Sequence, residues 1–238
     1  MKVLLIIPAY NEEESILNTI NNIKQNKDKF TFDVDYIVIN DGSTDSTSKI
    51  LSENNIEHID LLLNLGIGGA VQTGYMYAEK MNYDIAVQFD GDGQHDISSL
   101  PNLVLPLIDN EADIIVGSRF INPASSDFKT TFMRRFGIKI ISFIIFITTG
   151  KRIFDTTSGY RAANKKVISY FANRYPVKYP EPESIVHLIK RKYRFKEVGV
   201  NMFERQGGKS SITPIKSIRY MIEVCSVILI STLMKEGD

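Results

Sequence analysis

A single cysteine, Cys225, stands in an apolar stretch of this 238-residue chain, which excludes an internal disulfide. A buried thiol in a reducing compartment is its simplest role. Net charge is absent too. With 28 Lys and Arg against 28 Asp and Glu, no global field draws the chain to nucleic acid, so that class is set aside and any basic surface is local. Histidine is scarce, and His58, His95 and His187 are too scattered for a zinc site. No apolar run reaches the roughly 20 residues of a spanning helix. Phe136 to Thr149 is broken by Lys139, and Met221 to Met234 by Glu223. The apolar run at the N-terminus is ended by Pro8, too early for a signal-peptide core, so a cytoplasmic location is expected. Internal repeats and low-complexity linkers are also missing.

What is present is an alternation of strand and helix signals, in a chain whose hydrophobic share of 43% supports a sizeable core. Short runs rich in Ile and Val at Lys2 to Ile7, Tyr36 to Asn40, His58 to Leu62, Ile85 to Phe89 and Ile114 to Val116 predict strands. Between them, helical periodicity predicts helices over Glu12 to Lys24, Ser46 to Glu53, Gly69 to Met81 and Ser98 to Ile108. Asp45 with Ser43 or Thr44, and Asp96 or Ser98, supply N-cap residues. The pattern is that of an α/β fold with a single doubly wound, mainly parallel sheet. After Arg119 come an apolar helix at Phe136 to Thr149, a turn at Thr156 to Arg161, a helix from Glu183 to Arg191, a strand at Phe195 to Phe203 and a terminal helix from Ile215. One domain is expected over 1–214, in halves 1–120 and 121–214, followed by an apolar helix over 215–238.

The strand at Ile85 to Phe89 delivers Asp90-Gly91-Asp92 to its C-terminal edge, where open α/β sheets bind ligands. Two hard oxygen donors one residue apart suit Mg²⁺ or Mn²⁺ bridging a diphosphate, which points to a nucleotide ligand. Pro8-Ala-Tyr-Asn-Glu12 and Asp41-Gly-Ser-Thr-Asp45 follow two other strands. Ordinary turn chemistry explains each segment alone. It does not explain carboxylates after three buried strands, because crowded charges raise one another's pKa unless a cation or donors satisfy them.

These segments, with Asn64-Leu-Gly-Ile-Gly-Gly-Ala-Val-Gln-Thr-Gly74, Gly117-Ser-Arg119, Asp155-Thr-Thr-Ser-Gly-Tyr-Arg161 and Glu204-Arg205 before Gly207-Gly-Lys-Ser-Ser211, occur in the order found in the family 2 glycosyltransferases of the GT-A fold. Over almost its whole length the chain resembles the branch containing dolichyl-phosphate mannose synthase and bacterial polyprenyl-phosphate glycosyltransferases. That resemblance implies inverting transfer of a hexosyl group from a nucleotide diphosphate sugar to a polyprenyl phosphate. It places Pro8, Tyr10, Glu12 and Asp41 around the base and ribose, and Asp90, Asp92 and Gln94 on a Mg²⁺ or Mn²⁺ ion, with Gly91 between the acids. Gly66, Gly68 and Gly69 open a helix whose N–H groups can favour an anion. Arg119 and Arg205 are candidates for phosphate contacts, since guanidinium binds phosphate bidentately. Lys209 and Ser210 join them from the Gly-rich loop, and Arg134 and Arg135 from the start of the apolar helix. Two departures fall in this acceptor region: Ser210-Ser211 replaces the usual Ser-Lys, and Lys139 or a neighbour replaces a serine.

Two alternatives stay open for the reaction. Glu181 or Glu183 can serve as general base if the acceptor is a hydroxyl of a growing glycan, or can simply charge a helix N-terminus beside Pro182. A catalytically silent nucleotide-sugar-binding subunit is the other, disfavoured by the intact acidic set. Basic residues at the start of the apolar helix, with Lys216 and Arg219 before the terminal one, point to peripheral attachment to the anionic inner face of the plasma membrane. A homo-oligomer interface explains the same apolar stretches.

Overall fold

The computed structural model describes the backbone of residues 1–121, 132–203 and 214–233, and their side chains except at 132–134, 214–219 and 233. Its strands are β1 (Lys2–Ala9), β2 (Asp33–Asn40), β3 (His58–Asp60), β4 (Ile85–Gln88), β5 (Ile114–Ser118), β6 (Arg161–Asn164) and β7 (Phe195–Gly199). Its α-helices are α1 (Ile16–Asn26), α2 (Thr47–Glu53), α3 (Gly66–Lys80), α4 (Leu100–Ile108), α5 (Phe132–Thr149), α6 (Lys165–Asn173), α7 (Pro180–Lys190) and α8 (Pro214–Leu233). The strands form one sheet in the order β3-β2-β1-β4-β6-β5-β7, in which only β6 pairs antiparallel with its neighbours.

Period-two alternation divides β1 between two cores. Val3, Leu5 and Ile7 pack with Ile16, Ile20 and Ile23 of α1, Leu51 of α2, and Leu103 and Leu107 of α4. Leu4 and Ile6 face Val71 and Tyr75 of α3 and Phe171 of α6. Helices therefore cover both faces, as a parallel sheet requires. The contact between α3 and β1 depends on Gly74, where an added Cβ would lie 2.1 Å from Ile6 Cγ2. A third apolar cluster joins Ile141 and Ile145 of α5, Ile185 of α7, and Val224 and Ile228 of α8.

Several boundaries differ from the sequence reading for local reasons. Helix α7 begins at Pro180, whose missing N–H is harmless in a first turn. Helix α3 begins at Gly66, three residues earlier than expected, because Asn64 Oδ1 accepts from Gly66 N and Asp41 Oδ1 from Leu65 N. Strand β3 ends at Asp60 and β7 at Gly199, short of the expected Leu62 and Phe203. Strand β6 and helix α6 were not anticipated. Arg161-Ala-Ala-Asn164 has none of the β-branched residues that announce a strand, yet it fills the position between β4 and β5.

Because β1 leads through β2 to β3 on one side while β4 lies on the other, the sheet changes winding direction between β1 and β4. Such a switch point leaves a crevice at the C-terminal strand ends. Reversed β6 begins at that same edge, its Arg161 paired with Gln88, the last residue of β4. The turn preceding β6 therefore overhangs the crevice.

Candidate active site

A cleft of about 450 Å³ occupies this position. Pro8, Ala9, Tyr10 and Glu12 line it from the end of β1, Asp41 from the end of β2, and Gln88, Asp90, Gly91 and Asp92 from the end of β4. Asn64, Gly66 and Ile67 close one side, and Thr157, Gly159 and Glu181 the other.

Each acidic group has local support. Asp41 Oδ1 accepts from Leu65 N at 2.7 Å, so Asp41 caps α3. Burial nonetheless raises its pKa from the ordinary value, with the Leu65 and Gly66 N–H groups acting in the opposite direction. Glu12 Oε2 accepts from Ser15 Oγ, and Thr47 Oγ1 holds the Glu12 backbone N–H. Asp92 Oδ1 accepts from Gln94 N at 3.0 Å. The Asp90–Asp92 turn is anchored from beneath by Thr19, whose hydroxyl donates to Gly91 O.

Asp90 has the most constrained surroundings. Its backbone N–H donates to His95 Nδ1 at 3.0 Å, while His95 Nε2 lies 3.4 Å from Asp90 Oδ2. His95 stacks on Tyr160 and meets Phe89 edge-on. Burial pushes its pKa down to about 4, so the ring is neutral near pH 7. With Nδ1 accepting, the proton resides on Nε2, on the side of the ring nearer the carboxylate. On the opposite side Gln88 Nε2 donates to Asp90 Oδ1, and the bare Cα of Gly159 closes over both groups.

Arg161, fully buried, fixes the far wall. It donates to Ser158 O and Glu181 O at 2.7 Å each and to Ser184 Oγ at 2.8 Å, tying the turn before β6 to the start of α7. Glu181 therefore faces the cleft, and burial raises its carboxyl above the ordinary value against the pull of the Arg161 charge. Glu183, also raised by burial, lies outside the lining, with its Oε1 3.7 Å from His187 Nε2.

The remaining sequence-predicted residues lie elsewhere. Gly68 packs on the segment leading to α7, and a Cβ there would sit 2.4 Å from Val177 O; its role is close packing rather than ligand approach. Gln94 Nε2 donates to Phe203 O, because residues 94 and 95 pair with 202 and 203, and its side chain does not line the cleft. Arg119 is buried, donating from Nε and Nη2 to Asp155 at 2.7 and 2.6 Å and from Nη2 to Thr157 Oγ1. Its guanidinium is engaged in an interior ion pair, not presented on the cleft wall. Arg135 is exposed on α5, where Arg134 contributes its backbone alone to the description. Arg205, Lys209 and Ser210 lie outside the described residues. His95, Thr157, Gly159 and Arg161 were not singled out as site residues. A Thr-Ser-Gly turn preceding a strand, and a histidine directly after an acidic turn, were the available signals.

An open α/β sheet with this switch-point cleft is the architecture of a GT-A glycosyltransferase. Glucosyl-3-phosphoglycerate synthase from Mycobacterium tuberculosis, solved with Mn²⁺, uridine diphosphate and phosphoglyceric acid, superposes with a TM-score of 0.73 at 17% identity, covering 99% of this chain and 80% of that one. Residues 4–171 match the glycosyl transferase family 2 model, and the chain belongs to that family. It is 33% identical over 218 residues to UDP-N-acetylglucosamine–dolichyl-phosphate N-acetylglucosaminyltransferase of Methanococcus voltae, spanning 83% of this chain and 84% of the relative. It is 29% identical over 167 residues to undecaprenyl-phosphate mannosyltransferase of Micrococcus luteus, spanning 68% and 66%.

Replacing Gly159 by Ala places a Cβ 2.8 Å from Gln88 Nε2 and 3.1 Å from Asp90 Oδ2. Displacement of that carboxylate is expected to lower glycosyl transfer by about 10²-fold, the scale of a small misplacement at a reacting centre. Thermal unfolding should change little. Wild-type turnover in this variant contradicts the role of the close approach.

Proposed function

We propose that the protein transfers a hexosyl group from a nucleoside diphosphate sugar to a polyprenyl phosphate, with inversion and with a divalent cation. The observation that carries this reading is the convergence of Asp41, Asp90 and Asp92 with Pro8, Tyr10 and Glu12 on one switch-point cleft. The acceptor class is supported by relatives named for dolichyl, undecaprenyl and polyprenol phosphates.

In this reading Pro8, Tyr10, Glu12 and Asp41 hold the base and ribose. An acceptor phosphate oxygen bonds to the anomeric carbon from the face opposite the diphosphate. The carbon–oxygen bond to the diphosphate breaks, and its electron pair leaves with the nucleoside diphosphate. Arg205, Lys209 and Ser210 are assigned to the acceptor phosphate by their motif, with Arg134 and Arg135 nearby in sequence. An ionised phosphate needs no proton removed.

The donor set fits Mg²⁺ or Mn²⁺. Asp90 and Asp92 offer two hard oxygen donors on the cleft wall, and among the described residues no group of three His, Cys, Asp or Glu side chains is placed to hold a metal ion by itself. These ions favour such partial ligation, completed by phosphate oxygens and water. Bound there, the cation would neutralise charge gathering on the leaving diphosphate.

A second reading, transfer to a glycan hydroxyl, is favoured by Glu181, whose raised pKa in the cleft suits a general base. Radiolabelled nucleotide sugars and undecaprenyl phosphate separate the two. Labelled lipid is expected in Mn²⁺, little changed by Glu181→Gln and abolished by chelator or by Asp92→Ala with the fold intact. Full transfer in excess chelator contradicts the metal assignment. Label that appears on a glycan acceptor and not on the lipid, with a loss of about 10²- to 10⁴-fold in Glu181→Gln, marks a hydroxyl acceptor.

Among the described residues no helix is long and apolar enough to cross a membrane. Exposed Phe143, Phe146 and Ile147 on α5 and Ile222, Leu229 and Ile230 on α8 instead support peripheral attachment, with Arg135, Lys139, Lys151 and Arg152 meeting anionic headgroups. The protein is expected to float with phosphatidylglycerol vesicles at low salt and to be released at high salt. A soluble dimer that ignores the vesicles would assign the face to self-association.

A further inference from the structure

The turn before β6 carries three hydroxyls in succession. Thr156 Oγ1 and Ser158 Oγ are buried and find no hydrogen-bond partner among the described residues, whereas Thr157 reaches the cleft. Thr157 Oγ1 accepts from Arg119 Nη2 at 2.9 Å. That direction is fixed, because a guanidinium only donates and stays charged. The hydroxyl proton of Thr157 is therefore left to be given elsewhere, and the hydroxyl donates no hydrogen bond to any of the described residues.

The arrangement is held rigidly. Asp155 takes both guanidinium bonds of Arg119 and the Arg119 backbone N–H at 3.1 Å, with its own carboxylate fully buried. Glu197 in turn accepts from the backbone N–H groups of Phe154 and Asp155 at 2.8 Å each. Tyr160 O accepts from Gly117 N, so both ends of the turn are fastened to the sheet.

Around Thr157 the cleft is rich in acceptors, the carboxylates of Asp90, Asp92 and Glu181. Sugar hydroxyls carry protons and suit those groups. A phosphoryl oxygen carries none and needs a donor. We infer that the Thr157 hydroxyl donates to a phosphoryl oxygen at the transfer end of the cleft, and that Arg119 is the positioning residue that sets its direction. This inference rests on the reading of the cleft as a nucleotide-sugar site. The oxygen belongs either to the leaving diphosphate or to the acceptor phosphate, two sources of one chemistry.

Thr157→Val keeps the shape and removes the donor, while Thr157→Ser keeps the donor. Calorimetric titration in Mn²⁺ with inorganic pyrophosphate and with farnesyl phosphate reads the contact without requiring turnover. In the Val variant one probe is expected to bind about tenfold more weakly, the scale of a lost hydrogen bond to a charged group. The Ser variant should bind like wild type, and both should melt like wild type. Loss with pyrophosphate assigns the leaving group, and loss with farnesyl phosphate the acceptor. The inference is overturned if the Val variant binds both probes as wild type does, if Ser and Val lose affinity equally, or if wild type binds neither probe. A wild-type chain that transfers no sugar yet shows the Val-specific loss sinks the transfer reading and leaves the Thr157 contact standing.

Discussion

Carboxylates gathered at the ends of parallel strands repel one another, and a half-buried cleft tolerates them only if each has its own donor. That constraint governs this molecule. Asp41 takes Leu65 N at the start of α3, Glu12 takes the Ser15 hydroxyl, Asp92 takes Gln94 N, and Asp90 is flanked by Gln88 and a neutral His95. Among the described residues these contacts come from backbone N–H groups and uncharged side chains, and the described lining carries acidic side chains from three strand ends. An acidic cleft is suited to a cationic partner, and a cation is what an incoming diphosphate also needs.

The two walls of the cleft are held by different physics. On the side of β1 and β2, parallel pairing sets the two strands in register to Ala9 and Asn40, so Tyr10 and Asp41 emerge side by side. On the other side, one reversed strand brings the turn over Asp90. Arg161 then ties that turn to α7, and Arg119 with Asp155 ties it to the end of β5. Both arginines act from the interior. Their charges are compensated or wrapped in carbonyl oxygens, so they shape the site rather than merely adding positive potential to it.

Much of this was legible along the chain because it is local. A strand ending in Asp or Glu with Gly nearby announces both its edge and its chemistry, which is why Pro8, Tyr10, Glu12, Asp41, Asp90 and Asp92 were found together. What stayed hidden depends on distant partners. Arg119 reads as a phosphate ligand until Asp155, 36 residues on, claims it. Gln94 is turned by a contact no local pattern shows, its amide N–H donating to Phe203 O, 109 residues away, and it is not among the residues lining the cleft. Gly68 reads as a phosphate loop until the backbone of Pro176 and Val177 is seen against it. Strand β6 escaped because its burial, not its composition, makes it a strand.

The central claim is that Asp90 and Asp92 and the diphosphate share one cation, each incomplete without the others. Titration calorimetry with uridine diphosphate in Mn²⁺ and in chelator tests it most directly. The account predicts an affinity at least about tenfold higher with Mn²⁺, since the metal bridges ligand and carboxylates. Equal affinity in chelator would mean that the acidic cleft holds the nucleotide without a cation, and would contradict it.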